Sequence, residues 1–238
     1  MMKLKRKLLI AIDGPAGSGK SSTARALAKK IKVPFIDTGA MYRAVTLKAI
    51  RQGVEFGDMK KLVRIARGAD IRLVGADPTK QRVFLDGKDV TKAIREPELT
   101  KNVFHIAQAP MIRRELVKKQ RALGKKRGGV MEGRDIGTVV FPDADYKFFF
   151  EASPDIRALR RQRELIAAGK DVPLAQVKKD MLRRDATDLN RKEGPLRKAK
   201  DAHRLDTSSL TIEATIGKIL EIIGSNPLKR TGLSHSRA

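Results

Sequence analysis

Short apolar runs alternate with amphipathic stretches along this chain, and the alternation predicts an α/β fold. Residues 8–12 form a continuous apolar run, too short for a helix, and read as a buried strand. After a glycine-rich gap, Ala24, Leu27, Ala28 and Ile31 recur at helical spacing with Arg25, Lys29 and Lys30 between them. Residues 33–36 read as a second strand and 41–52 as a helix closed by Gly53. Stretches 70–74 and 82–85 are β-rich and bounded by Gly75, Asp77-Pro78 and Asp86-Gly87, which predicts a small antiparallel sheet inserted into the main fold. Residues 110–123 read as a highly basic helix; Val130-Met131 with its flanks and residues 146–150 read as core strands. Ser153-Pro154-Asp155 is a helix start, with serine as cap and proline in the first turn. Residues 210–223 read as a closing helix, apolar at Ile212, Ile216, Ile219, Leu220 and Ile223, beyond which a basic tail, 225–238, is expected to fray.

The gap after the first strand carries Gly14-Pro15-Ala16-Gly17-Ser18-Gly19-Lys20-Ser21, which fits the phosphate-loop pattern G-x-x-x-x-G-K-[ST]. Glycines let the backbone wrap a polyphosphate with its N–H groups inward, and the following helix N-terminus favours an anion. This assigns Gly14 to Ser22 to ATP, with Lys20 on the β- and γ-phosphates and the Ser21 hydroxyl on Mg²⁺. Asp13 precedes the loop and is expected to brace it without taking part in the chemistry.

Composition narrows the partners. The 238 residues hold 52 Lys and Arg against 27 Asp and Glu, a formal net charge of +25, with no Cys, no Trp and two Tyr. Disulfides and thiolate metal sites are excluded. Aromatics for stacking a nucleic acid are scarce, so the charge favours small anionic substrates over a specific nucleic acid. No apolar run approaches the ~20 residues of a membrane span. The basic N-terminus superficially resembles a signal peptide, but its apolar part runs straight into the phosphate loop, and the expectation is a soluble cytoplasmic protein.

Two further motifs follow strands directly, where ligands of open α/β sheets bind. Asp37-Thr38-Gly39-Ala40-Met41-Tyr42-Arg43 puts Arg43 in reach of a second phosphate, or leaves it as a surface residue of a helix. Glu132-Gly133-Arg134-Asp135-Ile136-Gly137-Thr138 offers Glu132 to the waters of Mg²⁺, Arg134 to phosphate and Asp135 to a base or sugar; a structural ion pair is the alternative. Further on, Arg157, Arg160, Arg161 and Arg163 precede 167–173, a bend with Gly169 and Pro173, and then Arg183-Arg184-Asp185, Asp188 and Arg191. Spacings of three and four put Arg184, Asp188 and Arg191 on one helix face. The pattern reads as an arginine-bearing lid.

Taken in order, these motifs, with Val139-Val140-Phe141-Pro142-Asp143-Ala144 extending the second, closely resemble the bacterial cytidylate kinase family. The resemblance runs over residues 8–224. It implies a P-loop nucleoside-monophosphate (NMP) kinase fold: a central parallel sheet flanked by helices, an inserted nucleotide-binding lobe and an arginine-rich lid. The implied division is core 8–37, 128–156 and 195–224, lobe 38–127 and lid 157–194. The implied activity is transfer of the ATP γ-phosphate to CMP or dCMP with Mg²⁺, by a monomer. Thr38, Tyr42, Arg43, Arg113, Arg134, Asp135, Arg184 and Asp188 match the CMP side, Arg191 a phosphate contact, and Arg157 and Arg161 fall to ATP; Lys20, Arg134 and Arg191 would carry catalysis. Glu132 would reach the metal through water. Where the family commonly has a serine that touches cytosine, this chain has Phe104, which has no hydroxyl. Cytosine is then read by Arg113 and Asp135 with help from His105 or water, or less strictly; His105 is expected to be a packed helix residue. UMP or AMP as acceptor, and a nucleic-acid-stimulated ATPase, are the competing readings.

Overall fold

A computed structural model describes residues 7–225, so the basic tail expected to fray lies almost wholly outside the described residues. Five parallel strands form the central sheet: β1 (Leu9–Asp13), β2 (Phe35–Asp37), β6 (Gly129–Gly133), β7 (Tyr146–Glu151) and β8 (His203–Asp206), in the order β2-β6-β1-β7-β8. The apolar runs are continuous because both faces are covered. Leu9, Ala11, Ile36 and Met131 join one core, whereas Ile10, Ile12, Phe35, Val130, Phe148 and Phe150 join the other. On the second face lie α1 (Lys20–Lys30) and α8 (Ile212–Ser225), through Leu27, Ile216 and Ile219. On the first lie α2 (Thr38–Arg51), α3 (Met59–Gly68), α4 (Pro97–Gln108) and α5 (Pro110–Arg127).

The expected insertion is present as an antiparallel sheet of β3 (Ile71–Val74), β4 (Arg82–Leu85) and β5 (Lys88–Asp89). The expected lid is an α-hairpin, α6 (Pro154–Ala167) and α7 (Leu174–Asn190), with its own small core of Ala158, Val177 and Met181. Ser153 caps α6 as anticipated, its Oγ accepting from Ile156 N at 3.3 Å.

Several boundaries and elements differ from the sequence reading. The 33–36 strand lies at Phe35–Asp37, and the helix after it begins at Thr38 rather than Met41, because Asp37 accepts from Ala40 N at 2.7 Å and caps it. The basic helix runs on to Arg127, and the last helix begins at Ile212. Unanticipated are α3, β5 and β8, the extent of α4 around the expected helical His105, and a π-helical turn, Ile136–Val140. β8 has one buried residue, Leu205, so hydrophobic patterning could not reveal it. No helix among the described residues is long and apolar enough to cross a membrane.

Candidate active site

Parallel registry fixes where the motifs meet. Asp13 pairs with Gly133, and Asp37 with Glu132, so the carboxyl ends of β1, β2 and β6 lie side by side and their three loops share one crevice. The phosphate loop turns from β1 into α1, whose first turn has no side-chain cap, leaving its N–H groups for an anion. Gly17 is required there: a Cβ would lie 2.8 Å from Met181 Cε and 2.9 Å from the Arg157 carbonyl, so the lid rests on the loop. The buried Lys20 turns its ammonium onto its own loop, donating to the Pro15 carbonyl at 2.5 Å and to Ser18 Oγ at 3.3 Å. Burial first, and then the charge of Arg134, holds its pKa well below the usual lysine range.

The buried Glu132 carboxylate stands beside this ammonium, and Asp37 stands beside Glu132. Glu132 has its pKa raised by burial and next by the negative charge of Asp37, while Ser21 hydrogen-bonds it. A hydroxyl and two close carboxylates are an all-oxygen donor set of the kind Mg²⁺ takes alongside phosphates and water. Repulsion between the carboxylates is what a divalent cation would relieve, so the residues fit the expected ion.

Across the crevice the arginines are arranged around two carboxylates. Arg134 Nε donates to Asp188 Oδ2 at 2.9 Å, and Arg113 pairs with Asp135 in the interior. Arg191 reaches Asp188 Oδ1 at 3.4 Å and Asp135 Oδ1 at 3.6 Å, and donates to the Gly194 carbonyl; its Nη2 is buried without a hydrogen bond. Arg184 opens to solvent, but enough protein surrounds it, with the positive Arg134 next to it, to lower its pKa to about 10. Four guanidiniums therefore face two carboxylates, an excess of two positive charges that matches a phosphate monoester dianion. Arg43 adds to this side, donating to Asp37 Oδ2 at 3.0 Å while its Nε is buried without a partner. Tyr42 lies under Arg113, whose Cζ is 5.5 Å from the ring centroid, and burial raises its hydroxyl pKa to about 12. The Thr38 hydroxyl donates to the Glu132 carbonyl at 2.7 Å, stitching α2 to β6.

Three residues make contacts other than those expected of them. Asp13 does not brace the glycine loop; it accepts from Ile136 N at 2.8 Å and Gly137 N at 2.7 Å and so holds the turn that follows β6. Arg157, expected on ATP, sits behind the loop: it pairs with Asp185 at 2.5 Å and donates to the Ala16 carbonyl at 3.1 Å and the Ala152 carbonyl. Arg161, also expected on ATP, is paired with Glu164 at 2.8 Å on the lid surface. His105 is packed as expected, stacked on Phe56 at 4.7 Å, and Phe104 lies against it, 43% exposed.

The sequence reading missed the neighbours that hold the donor loop. Thr207 Oγ1 donates to the Ser18 carbonyl at 3.0 Å, and Arg160 donates to the Thr207 carbonyl at 2.6 Å, its Nη1 standing 3.7 Å from where a Gly19 Cβ would be. Nothing in Asp206-Thr207-Ser208 signals this. Asp37 as helix cap was legible from an Asp just before a helical stretch.

Residues 10–225 match the family described as cytidylate kinase. The chain belongs to the cytidylate kinase family. It is 49% identical over 211 residues to the cytidylate kinase of Pelotomaculum thermopropionicum, covering 89% of this chain and 93% of that one. Identity to the cytidylate kinase of Caldanaerobacter subterraneus subsp. tengcongensis is 46% over 217 residues, with 91% and 95% covered. A bifunctional pantoate ligase/cytidylate kinase of Synechococcus sp. (strain JA-2-3B'a(2-13)) is 44% identical over 229 residues, 95% of this chain but 42% of that protein, so the chain spans less than half of it. The family match spans all three loops of the crevice and the lid.

Proposed function

We propose that this protein transfers the γ-phosphate of ATP to CMP or dCMP in the crevice just described, giving CDP or dCDP. The observation that carries the reading is the pairing of a phosphate loop with a second cluster whose excess charge suits a phosphate dianion, in a chain of the cytidylate kinase family.

The acceptor oxygen is already anionic at neutral pH, so no general base is needed; the task is to hold two polyanions in line. Binding of the donor exchanges the Pro15 and Ser18 acceptors of Lys20 for phosphate oxygens. Arg43, Arg134, Arg184 and Arg191 balance the acceptor phosphate and the charge that spreads over the moving group. Arg113 and Asp135 face the base, and Asp188 the ribose. Arg157 and Asp185 tie both lid helices to the loop, so lid closure acts on the donor directly and excludes water as a rival acceptor. Mg²⁺ would be held by Ser21 and, through water, by Glu132, and would neutralise charge on the β- and γ-phosphates. Action as a monomer, and a cytoplasmic place where these nucleotides occur, belong to the same reading.

Product formation from CMP, dCMP, UMP, AMP and GMP with ATP tests it. CMP and dCMP are expected to be the acceptors. Preferred turnover of UMP or AMP would overturn the acceptor assignment, and RNA-stimulated ATP hydrolysis without transfer would overturn the reaction class.

A further inference from the structure

α5 has two differently used faces. Arg113 points inward to the base-facing pair, whereas the outer face, with α3, the π-helical turn and the segment after α7, walls a cavity of about 480 Å³. The floor is aliphatic, from Val63, Val117 and Val139. The rim is cationic and incompletely neutralised. Arg67 and Lys118 share one carboxylate, Glu115, at 3.4 and 3.1 Å. Arg121 donates to the Val140 and Val139 carbonyls at 2.9 and 2.7 Å, which fixes its guanidinium without cancelling its charge. Only Arg114 has a carboxylate to itself, Glu193. Four rim cations thus meet two carboxylates. Tyr42, Arg43, Arg134, Arg184 and Asp188 do not line this space; Arg113 and Gly194 form the wall between it and the acceptor cluster.

We propose that this cavity is a second anion site, taking a small molecule with an apolar ring and a phosphate group, and that its occupant competes with Glu193 for Arg114. The volume lies in the range of small-molecule sites, roughly 300–1,000 Å³. The ring would cover the valine floor, and the phosphate would meet Lys118, Arg121 and Arg114, the arginines suiting forked oxyanion contacts. The site is coupled to the acceptor cluster through one segment. Glu193 anchors it to α5, and the next residue, Gly194, holds Arg191 through its carbonyl and abuts the Arg113–Asp135 pair. An occupant that draws Arg114 away from Glu193 loosens this segment, and with it the placement of Arg191. A phosphorylated aromatic metabolite would then act as a brake on the acceptor site.

Calorimetric titration of phenyl phosphate into the whole protein tests this, first alone and then with CMP and a non-hydrolysable ATP analogue at saturation. The free protein is expected to take a second molecule at the acceptor cluster; with both nucleotides bound, one-to-one binding at the cavity is expected, weaker than in their absence because the coupling is reciprocal. Lys118→Glu is expected to weaken it at least tenfold. Glu193→Gln, which removes the competitor, is expected to tighten it several-fold. Lys125→Glu, an equal charge change at an exposed position of the same helix outside the cavity, is expected to leave it within twofold. Inorganic phosphate, lacking the ring, is expected to bind more weakly. Absence of binding to the nucleotide-saturated protein, equal losses in Lys118→Glu and Lys125→Glu, or weaker binding in Glu193→Gln would each overturn the site. Equal affinity for inorganic phosphate would overturn the apolar part of the assignment. A protein that binds phenyl phosphate but not CMP would overturn the acceptor reading and leave this site standing.

Discussion

Gly194→Ala probes the acceptor site through a single methyl group. Gly194 has φ +59°, and a Cβ there would lie 2.6 Å from Arg113 Nη2 and nearer still to Asp135 Oδ2. The substitution therefore has two separable effects. Left-handed backbone costs an L-residue about 1–2 kcal/mol. The collision is with a buried charged pair rather than with a flexible side-chain end, so the pair must part or the loop must lift. Losing a charge-assisted hydrogen bond is worth about 1.5–3 kcal/mol. Expressed as acceptor binding, that is roughly ten- to a hundredfold in the KM for CMP, at 1.4 kcal/mol per decade. Gly53→Ala is the matched control: φ is +63°, but nothing lies within 4 Å of its Cβ. It should lose about 1–2 kcal/mol of stability from the backbone alone and leave KM unchanged. Steady-state kinetics with CMP and ATP varied separately, beside urea unfolding of both variants, distinguishes the two effects. A folded Gly194→Ala protein whose KM for CMP stays within twofold of the parent would refute the placement of Arg113 and Asp135 at the acceptor. An equal rise in the KM for ATP would refute the confinement of the effect to that side.

Three further outcomes follow from the same geometry. Lys20→Ala should lower turnover by several orders of magnitude with the fold retained; near-normal rates would remove the phosphate-loop mechanism. Asp185→Asn leaves Arg157 buried opposite a neutral partner and should destabilise by about 3–5 kcal/mol, while Arg157→Met with Asp185→Leu should restore stability but not the KM for ATP. If the double variant binds ATP normally, Arg157 does not brace the loop. Burial raises the Asp13 carboxyl from 3.8 to about 6, so between those values the folded state holds a proton that the unfolded state has lost. Its contribution is then a stability that falls by roughly 3 kcal/mol as pH rises from about 4 to 6 and is constant above that. Denaturant midpoints at pH 4.5 and 6.5 should show that slope in the parent and a flatter one in Asp13→Asn; identical slopes would contradict it.

The large positive charge has more than one use here. Lys119 donates to the carbonyls of Arg67 and Ala69, both at 2.9 Å, and Arg127 to that of Leu73 at 2.8 Å. Arg121 does the same for the turn after β6. These residues satisfy backbone oxygens at the ends of helices and strands, Lys119 and Arg127 within the inserted lobe and Arg121 from the lobe to the core. Lys119 and Arg127 have no ligand role, which accounts for part of the excess over what two nucleotides require.

Four of the five core strands, the donor loop, two strands of the inserted sheet and the arginine-bearing lid were legible along the chain, because each rests on local information. Apolar runs, turn residues and helical spacing are short-range properties, and the glycine-rich loop works through its own backbone. The same kind of information named Arg43, Arg134, Asp135, Arg184, Asp188 and Arg191 as candidates. It could not pair them. That Arg157 braces the loop through Asp185, that Asp13 serves the distant turn at Ile136, and that Thr207 holds Ser18 are contacts across 28, 123 and 189 residues. Charge balance at the acceptor is likewise a property of a volume, set by which carboxylates share it with which guanidiniums. The sequence by itself determined what chemistry the chain can offer. Only the tertiary structure decided which arginines are tied up as supports and which face the crevice, because burial and ion pairing depend on neighbours that the chain order does not specify.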